Sequence, residues 1–96
     1  MNYLSHFLNK SLSDNLNPSH ISLYLAIYHC WQHNNQINPV SITSKEIMQR
    51  SKINSRATYH KCLKDLHNKK YLNYTPSFNP FKSSQVFLLL PKRIAK

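Results

Sequence analysis

The chain contains no glycine in its 96 residues. Glycine is the residue that enters the left-handed backbone region without a steric penalty. Any turn or helix end here that needs a positive φ must therefore use Asn or another polar side chain, at some cost. The Asn-rich stretches 15–17 and 34–38 are the expected places. The same absence excludes the glycine loops that cradle phosphates in P-loop and dinucleotide-binding folds.

Apolar spacing is helical over the first two thirds of the chain. Tyr3, Leu4, Phe7, Leu8 and Leu12 mark a short amphipathic helix that Ser13-Asp14-Asn15 ends. Asn17-Pro18 pairs a capping residue with proline at the first helical position, so a helix is expected over 18–33. Its apolar residues, Ile21 through Trp31, wrap most of the circumference. Such a helix must be covered on more than one side. After a loop at 34–39, Val40-Ser41-Ile42 alternates like a very short strand, and Thr43-Ser44-Lys45-Glu46 reads as a capping box. Two helical turns follow to about Ser51, then a tight turn at Lys52-Ile53, then a helix capped by Asn54 or Ser55 and running to about Asn68.

The period then changes to two. Tyr71 to Tyr74 and Gln85 to Leu90 read as strands, and the turn-forming run Pro76 to Pro80 separates them into a hairpin. The expected class is α+β, mainly α: a winged helix-turn-helix with a C-terminal β-hairpin wing. It is one domain over 1–96, with N-terminal helices in 1–34, a core in 40–90 and a basic tail in 91–96.

Charge is divided along the chain. Residues 1–44 hold only Lys10 and Asp14 and balance. Residues 45–96 carry all the rest of the 13 Lys and Arg against Glu46 and Asp65, and so the whole net charge of +10. A field of one sign attracts polyanions, and nucleic acid is the commonest.

The helix over 55–68 concentrates that charge. On a helical wheel Tyr59, Cys62, Leu63 and Leu66 share one arc and should face the core. Ala57, His60, Lys61, Lys64 and Asn68 fall opposite, with Arg56 at the edge near the start. A recognition helix reaches base edges with its N-terminal residues. Small Ala57 permits close approach, and Arg56 offers a two-pronged donor suited to guanine. Lys61 and Lys64 suit phosphate, as do Lys45 and Lys52 beside the helix starts. In the turn of the hairpin, Lys82, Ser83 and Ser84 are candidates for phosphate or the minor groove, next to Phe78 and Phe81.

The run Ser55-Arg56-Ala57-Thr58-Tyr59-His60-Lys61-Cys62-Leu63-Lys64-Asp65-Leu66, followed by Tyr71-Leu72, resembles the recognition helix of GntR-type bacterial winged-helix regulators. The stretch from Asn54 to Leu72, with Asn79-Pro80-Phe81-Lys82, is also similar to small stand-alone winged-helix regulators of Bacteroidetes mobile elements. The resemblance covers about residues 40–90. It implies DNA contacts at Arg56, Thr58 and His60, and a wing tip on the minor groove or backbone. Lys70 departs from the pattern, which has glycine there.

The expected partner is double-stranded DNA, bound for transcriptional regulation. The alternatives are a replication or excision accessory factor of a mobile element, or a winged helix that binds an acidic protein. No enzyme is expected: the three carboxylates offer no acid–base pair, and no nucleophile sits in a known arrangement. No cofactor and no metal are expected, since His29 and His33 with Cys30 lack a third ligand. No small-molecule pocket is evident in the sequence either, and a dimer interface is the one place left open for one. No apolar run reaches a membrane-spanning length, and no secretory signal opens the chain. Free cysteines at 30 and 62 fit a reducing cytoplasm, where a nucleoid location follows from DNA binding. Tyr3, Leu4, Phe7, Leu8 and outward residues of the helix over 18–33 exceed what one small core can hide, so a homodimer through the N-terminal half is expected.

Overall fold

A computed structural model describes residues 3–76 and 83–89. Their order is α1 (Tyr3–Asp14), α2 (Pro18–His33), β1 (Val40–Ile42), α3 (Ser44–Ser51), α4 (Arg56–Asn68), β2 (Leu72–Thr75) and β3 (Ser84–Leu88). The described residues thus form a small, mainly helical α+β domain with four helices and one antiparallel three-stranded sheet.

α2 is the central helix. Leu23, Tyr24, Ala26, Ile27, Tyr28 and Trp31 are all buried along it, which answers its near-complete apolar circumference. α1 covers one side: the Phe7 ring stacks on Tyr24 with centroids 3.8 Å apart and planes within 9°. α3 and α4 cover the others. Phe7 also meets Tyr71 edge-on at 5.4 Å. Phe7 is 2% exposed, so it belongs to the chain's own core and not to a dimer surface as expected from its sequence position. Leu4 packs partly buried against the same core, leaving Leu8 exposed; the Tyr3 side chain lies outside the described residues.

Sheet order is β1-β3-β2, so β3 is paired on both sides. Val40 faces Val86 across one pair, and Leu72 faces Leu88 across the other. Val40, Ile42, Leu72, Val86 and Leu88 turn inward and are buried, while Ser41, Asn73 and Phe87 alternate outward. The Asn38 side chain continues the β1 edge, accepting from Leu88 N–H at 3.0 Å and donating to Leu88 C=O at 3.2 Å.

The missing glycines show at the helix ends. Asn15, Asn35, Gln36, Lys52 and Lys70 take positive φ between 54° and 68°. Asn15, Asn35 and Gln36 fall in the expected Asn-rich stretches; Lys52 and Lys70 do not. At Lys70 the cause is local. Tyr71 N–H bonds Leu66 C=O at 2.9 Å and Lys70 N–H bonds His67 C=O at 3.1 Å. Those two bonds close α4 in the Schellman pattern, which requires a left-handed residue at this position. Lysine therefore takes a conformation that glycine enters without a steric penalty. Ile53 N–H to Met48 C=O at 3.1 Å closes α3 over Lys52 in a similar way.

Polar contacts fasten α1 to the far end of α4. Lys10 Nζ donates to Asp14 at 3.2 Å and to Lys69 C=O at 3.1 Å, and lies 4.1 Å over the Tyr71 ring. The Tyr71 hydroxyl donates to Asp14 Oδ2 at 2.6 Å. That bond holds the Asp14 carboxyl below its usual value, and burial pushes the Tyr71 phenol up. The N-terminal helices are therefore knit into the core and are not a separate arm.

Candidate nucleic-acid interface

α4 is a helix with two unlike sides. Tyr59, Cys62, Leu63 and Leu66 are buried, and Arg56, Ala57, His60, Lys61, Lys64 and Asn68 are exposed. Both groups match the wheel. Ser55, and not Asn54, caps the helix: its hydroxyl accepts from Thr58 N–H at 3.2 Å. Asn54 is exposed beside it. Thr58 is half-buried, so its side chain is less open to a partner than those of Arg56 and His60.

Two helix starts come together here. Thr43 caps α3 by accepting from Glu46 N–H at 3.2 Å. The return half of the expected capping box is replaced, because the Glu46 carboxylate pairs with Arg50 at 3.2 Å. Arg56 reaches from the first turn of α4 to the Ser44 hydroxyl at 3.1 Å, which brings the beginnings of α3 and α4 side by side. Lys45 is exposed on the first turn of α3, and Lys52 is exposed in the turn between the helices. Free N–H groups at a helix start favour anions.

His60 Nδ1 lies 3.1 Å from Arg56 C=O. A carbonyl only accepts, so Nδ1 donates, and Nε2 is the ring nitrogen available to a partner. Lys61 Nζ lies 3.4 Å from Asp65, while its side chain stays 72% exposed. Lys64 is exposed one turn from His60.

The wing residues divide. Ser84 opens β3 opposite Ile42 and is half-buried, so it belongs to the sheet and not to a free turn. Ser83 is also half-buried. Lys82, Phe78, Phe81 and the tail 91–96 lie outside the described residues.

His20 had no visible role in the sequence, where the histidines look scattered. It is buried, and both ring nitrogens are engaged. Nδ1 accepts from Asn17 N–H at 3.0 Å, and Nε2 donates to Asp65 Oδ2 at 2.8 Å. Histidine thus stands three residues after the cap, where a capping box has Glu, and also ties α2 to α4. The spacing Asn17–His20 is the local signal that could have shown the first bond. The bond to His20 is the main reason the Asp65 carboxyl sits below its usual value, with Lys61 adding to it against partial burial.

An open cleft of about 1100 Å³ runs between α2 and α3, with Leu16, Pro18, Ile21, Leu25, Ala26 and Lys52 in its wall. Among the described residues no group of three or more His, Cys, Asp or Glu is placed to hold a metal ion. His29 and His33 pack edge to face, 4.3 Å between centroids. Cys30 and Cys62 are free thiols. Among the described residues no helix is long and apolar enough to cross a membrane. Comparison with protein-family models, with curated proteins and with solved structures gives no match for this chain.

Proposed function

We propose that the chain is a winged helix-turn-helix protein that binds double-stranded DNA in a sequence-specific way and regulates transcription without catalysis. One observation carries this reading. α4 is fixed by a fully buried face, while its other face is exposed, cationic and small at its start, at Ala57. Thirteen residues make a rod about 20 Å long, and a helix's diameter of about 10–12 Å with side chains fits a major groove about 12 Å wide. In that groove Arg56 and His60 read base edges. Lys61 and Lys64 meet phosphate, with Lys45 and Lys52 flanking them. The Arg56–Ser44 bond is exposed, so exchanging it for a guanine edge costs little.

The test is a titration of labelled duplex at several salt concentrations. Lys45, Lys52, Lys61 and Lys64 are four exposed cations on or beside this face and free of a base-reading role. If each meets a phosphate, the log–log salt slope is about −3.6, a loss of roughly 150-fold between 50 and 200 mM. Lys64→Ala should flatten the slope by about 0.9 for all sequences alike, and Arg56→Ala should relax base preference. Absence of saturable duplex binding near ~100 mM salt refutes the reading. Binding to an acidic protein surface would then take its place.

A further inference from the structure

We propose that a second copy of this chain docks on the N-terminal half, laying the exposed Leu8–Leu12 stripe of its α1 into the cleft between α2 and α3, in a two-fold exchange. The inference does not rest on the DNA reading. It narrows the N-terminal dimer surface expected from sequence, removing the buried Phe7 and pairing the exposed α1 stripe with the outward residues of α2.

Three observations support it. The first is an apolar surplus with a shape. Leu8 is 47% exposed and Leu12 is 78% exposed. They stand four apart on α1, the spacing with which an amphipathic helix enters a groove. Ser5, Asn9 and Ser13, exposed on the same helix, carry no charge to desolvate. The second is a receptor on the same chain. Leu16, four residues beyond Leu12, begins the cleft wall that continues through Pro18, Ile21 and Leu25, and Leu25 is itself 40% exposed. At about 1100 Å³ and open to solvent, the cleft is larger than a drug-sized pocket and suits a helix face better than a small molecule. Among its lining residues Glu46 and Arg50 neutralise each other, which leaves Lys52 as a single uncompensated charge.

The third is electrostatic and selects the occupant. Two chains of net charge +10 repel. They can meet closely only where charge is balanced. Residues 1–44 balance, and they contain both the stripe and most of the cleft wall. A stripe and a groove on one surface, each complementary to the other, satisfy the self-complementarity that a two-fold interface demands.

Sedimentation velocity of the full chain at about 100 µM tests this by mass action. The expected species has twice the 11.3 kDa chain mass. It should persist or tighten as salt rises, because screening weakens the repulsion. Leu12→Glu and Leu25→Glu should each raise the dimer dissociation constant at least about 100-fold while the circular dichroism spectrum stays unchanged. Phe87→Glu is the control, since Phe87 is 48% exposed but lies on the sheet. It should leave the dimer intact. A monomer at low and high salt overturns the inference. So does a dimer that survives Leu12→Glu, or one that Phe87→Glu dissolves. Association and saturable duplex binding are read by separate measurements on the same samples, and Lys52, which lies both in the cleft wall and beside the DNA face, is left unchanged in every variant, so the two readings fail separately.

Discussion

Asp65→Ala removes the acceptor of the bond that ties α2 to α4. His20 is 6% exposed, and its Nε2–H would lose the carboxylate 2.8 Å away. Stranding a buried donor costs about 1–3 kcal/mol. Asp65 keeps 31% of its side chain in solvent, so water reaches the edge of the gap, and about 2 kcal/mol is the expected loss. The Lys61 contact at 3.4 Å is exposed and adds at most about 0.5 kcal/mol. For a domain this small, about 2 kcal/mol lowers Tm by roughly 10 °C. Thermal unfolding at pH 7, followed by circular dichroism, should show that drop for Asp65→Ala. Asp65→Asn keeps an acceptor and should lose less than half as much, and Lys61→Ala should move Tm by about 3 °C or less. The pH dependence has a definite sign. The carboxyl is held below its ordinary 3.8, first by His20. An acid depressed in the folded state contributes stability above its unfolded value and loses it as pH falls through the folded value. The gap between wild type and Asp65→Ala should therefore be full at pH 6 and narrow below about pH 4. A variant that melts within about 2 °C of wild type at pH 7 would show that the bond does not anchor α4.

Other substitutions separate core from surface. Phe7→Ala should cost about 3–5 kcal/mol in urea unfolding, because it empties the stack between Tyr24 and Tyr71; Leu12→Ala should stay within about 0.5 kcal/mol for the monomer. A Phe7→Ala loss under about 1 kcal/mol would place α1 outside the core. Lys70→Gly relieves a side chain held at φ 68° and should stabilise by about 0.5 kcal/mol after glycine's extra unfolded-state freedom is subtracted; Lys70→Val should destabilise by more than about 1 kcal/mol. A loss for glycine would show that the Lys70 side chain makes contacts that outweigh its backbone cost. Burial pushes both thiols above their ordinary 9.0. Native protein at pH 8 should alkylate slowly, Cys62 least, and fast labelling of Cys62 by mass spectrometry would mean that α4 lifts from the core.

Local signals carried far in this sequence, and long-range ones did not. Asn17-Pro18 marked the start of α2, Thr43 marked the start of α3, and the wheel over 55–68 separated the buried and exposed sides of α4. Each depends on residues within one or two helical turns. Period alone told that Phe7 lies on an apolar face, but not that the face is met by Tyr24 and Tyr71 of the same chain. His20 and Asp65 stand 45 residues apart, and Asp14 and Tyr71 stand 57 apart, so nothing in local spacing pairs them. The cleft lies between elements and has no contiguous signature. The hairpin of β2 and β3 was legible from turn chemistry, whereas the attachment of β1 to β3 was not.

The place of β3 has a consequence for how the molecule can be shortened. Every ladder bond among the described strands has one end on β3, and β3 follows both of its neighbours in sequence. A cut just before residue 84 would not trim a hairpin; it would leave β1 and β2 with no partner at all. Val40, Ile42 and Leu72 would lose their common cover in a single step, and the helices would be left resting on an uncapped apolar floor. For the same reason a growing chain carries two waiting strands until its last described element arrives to join them.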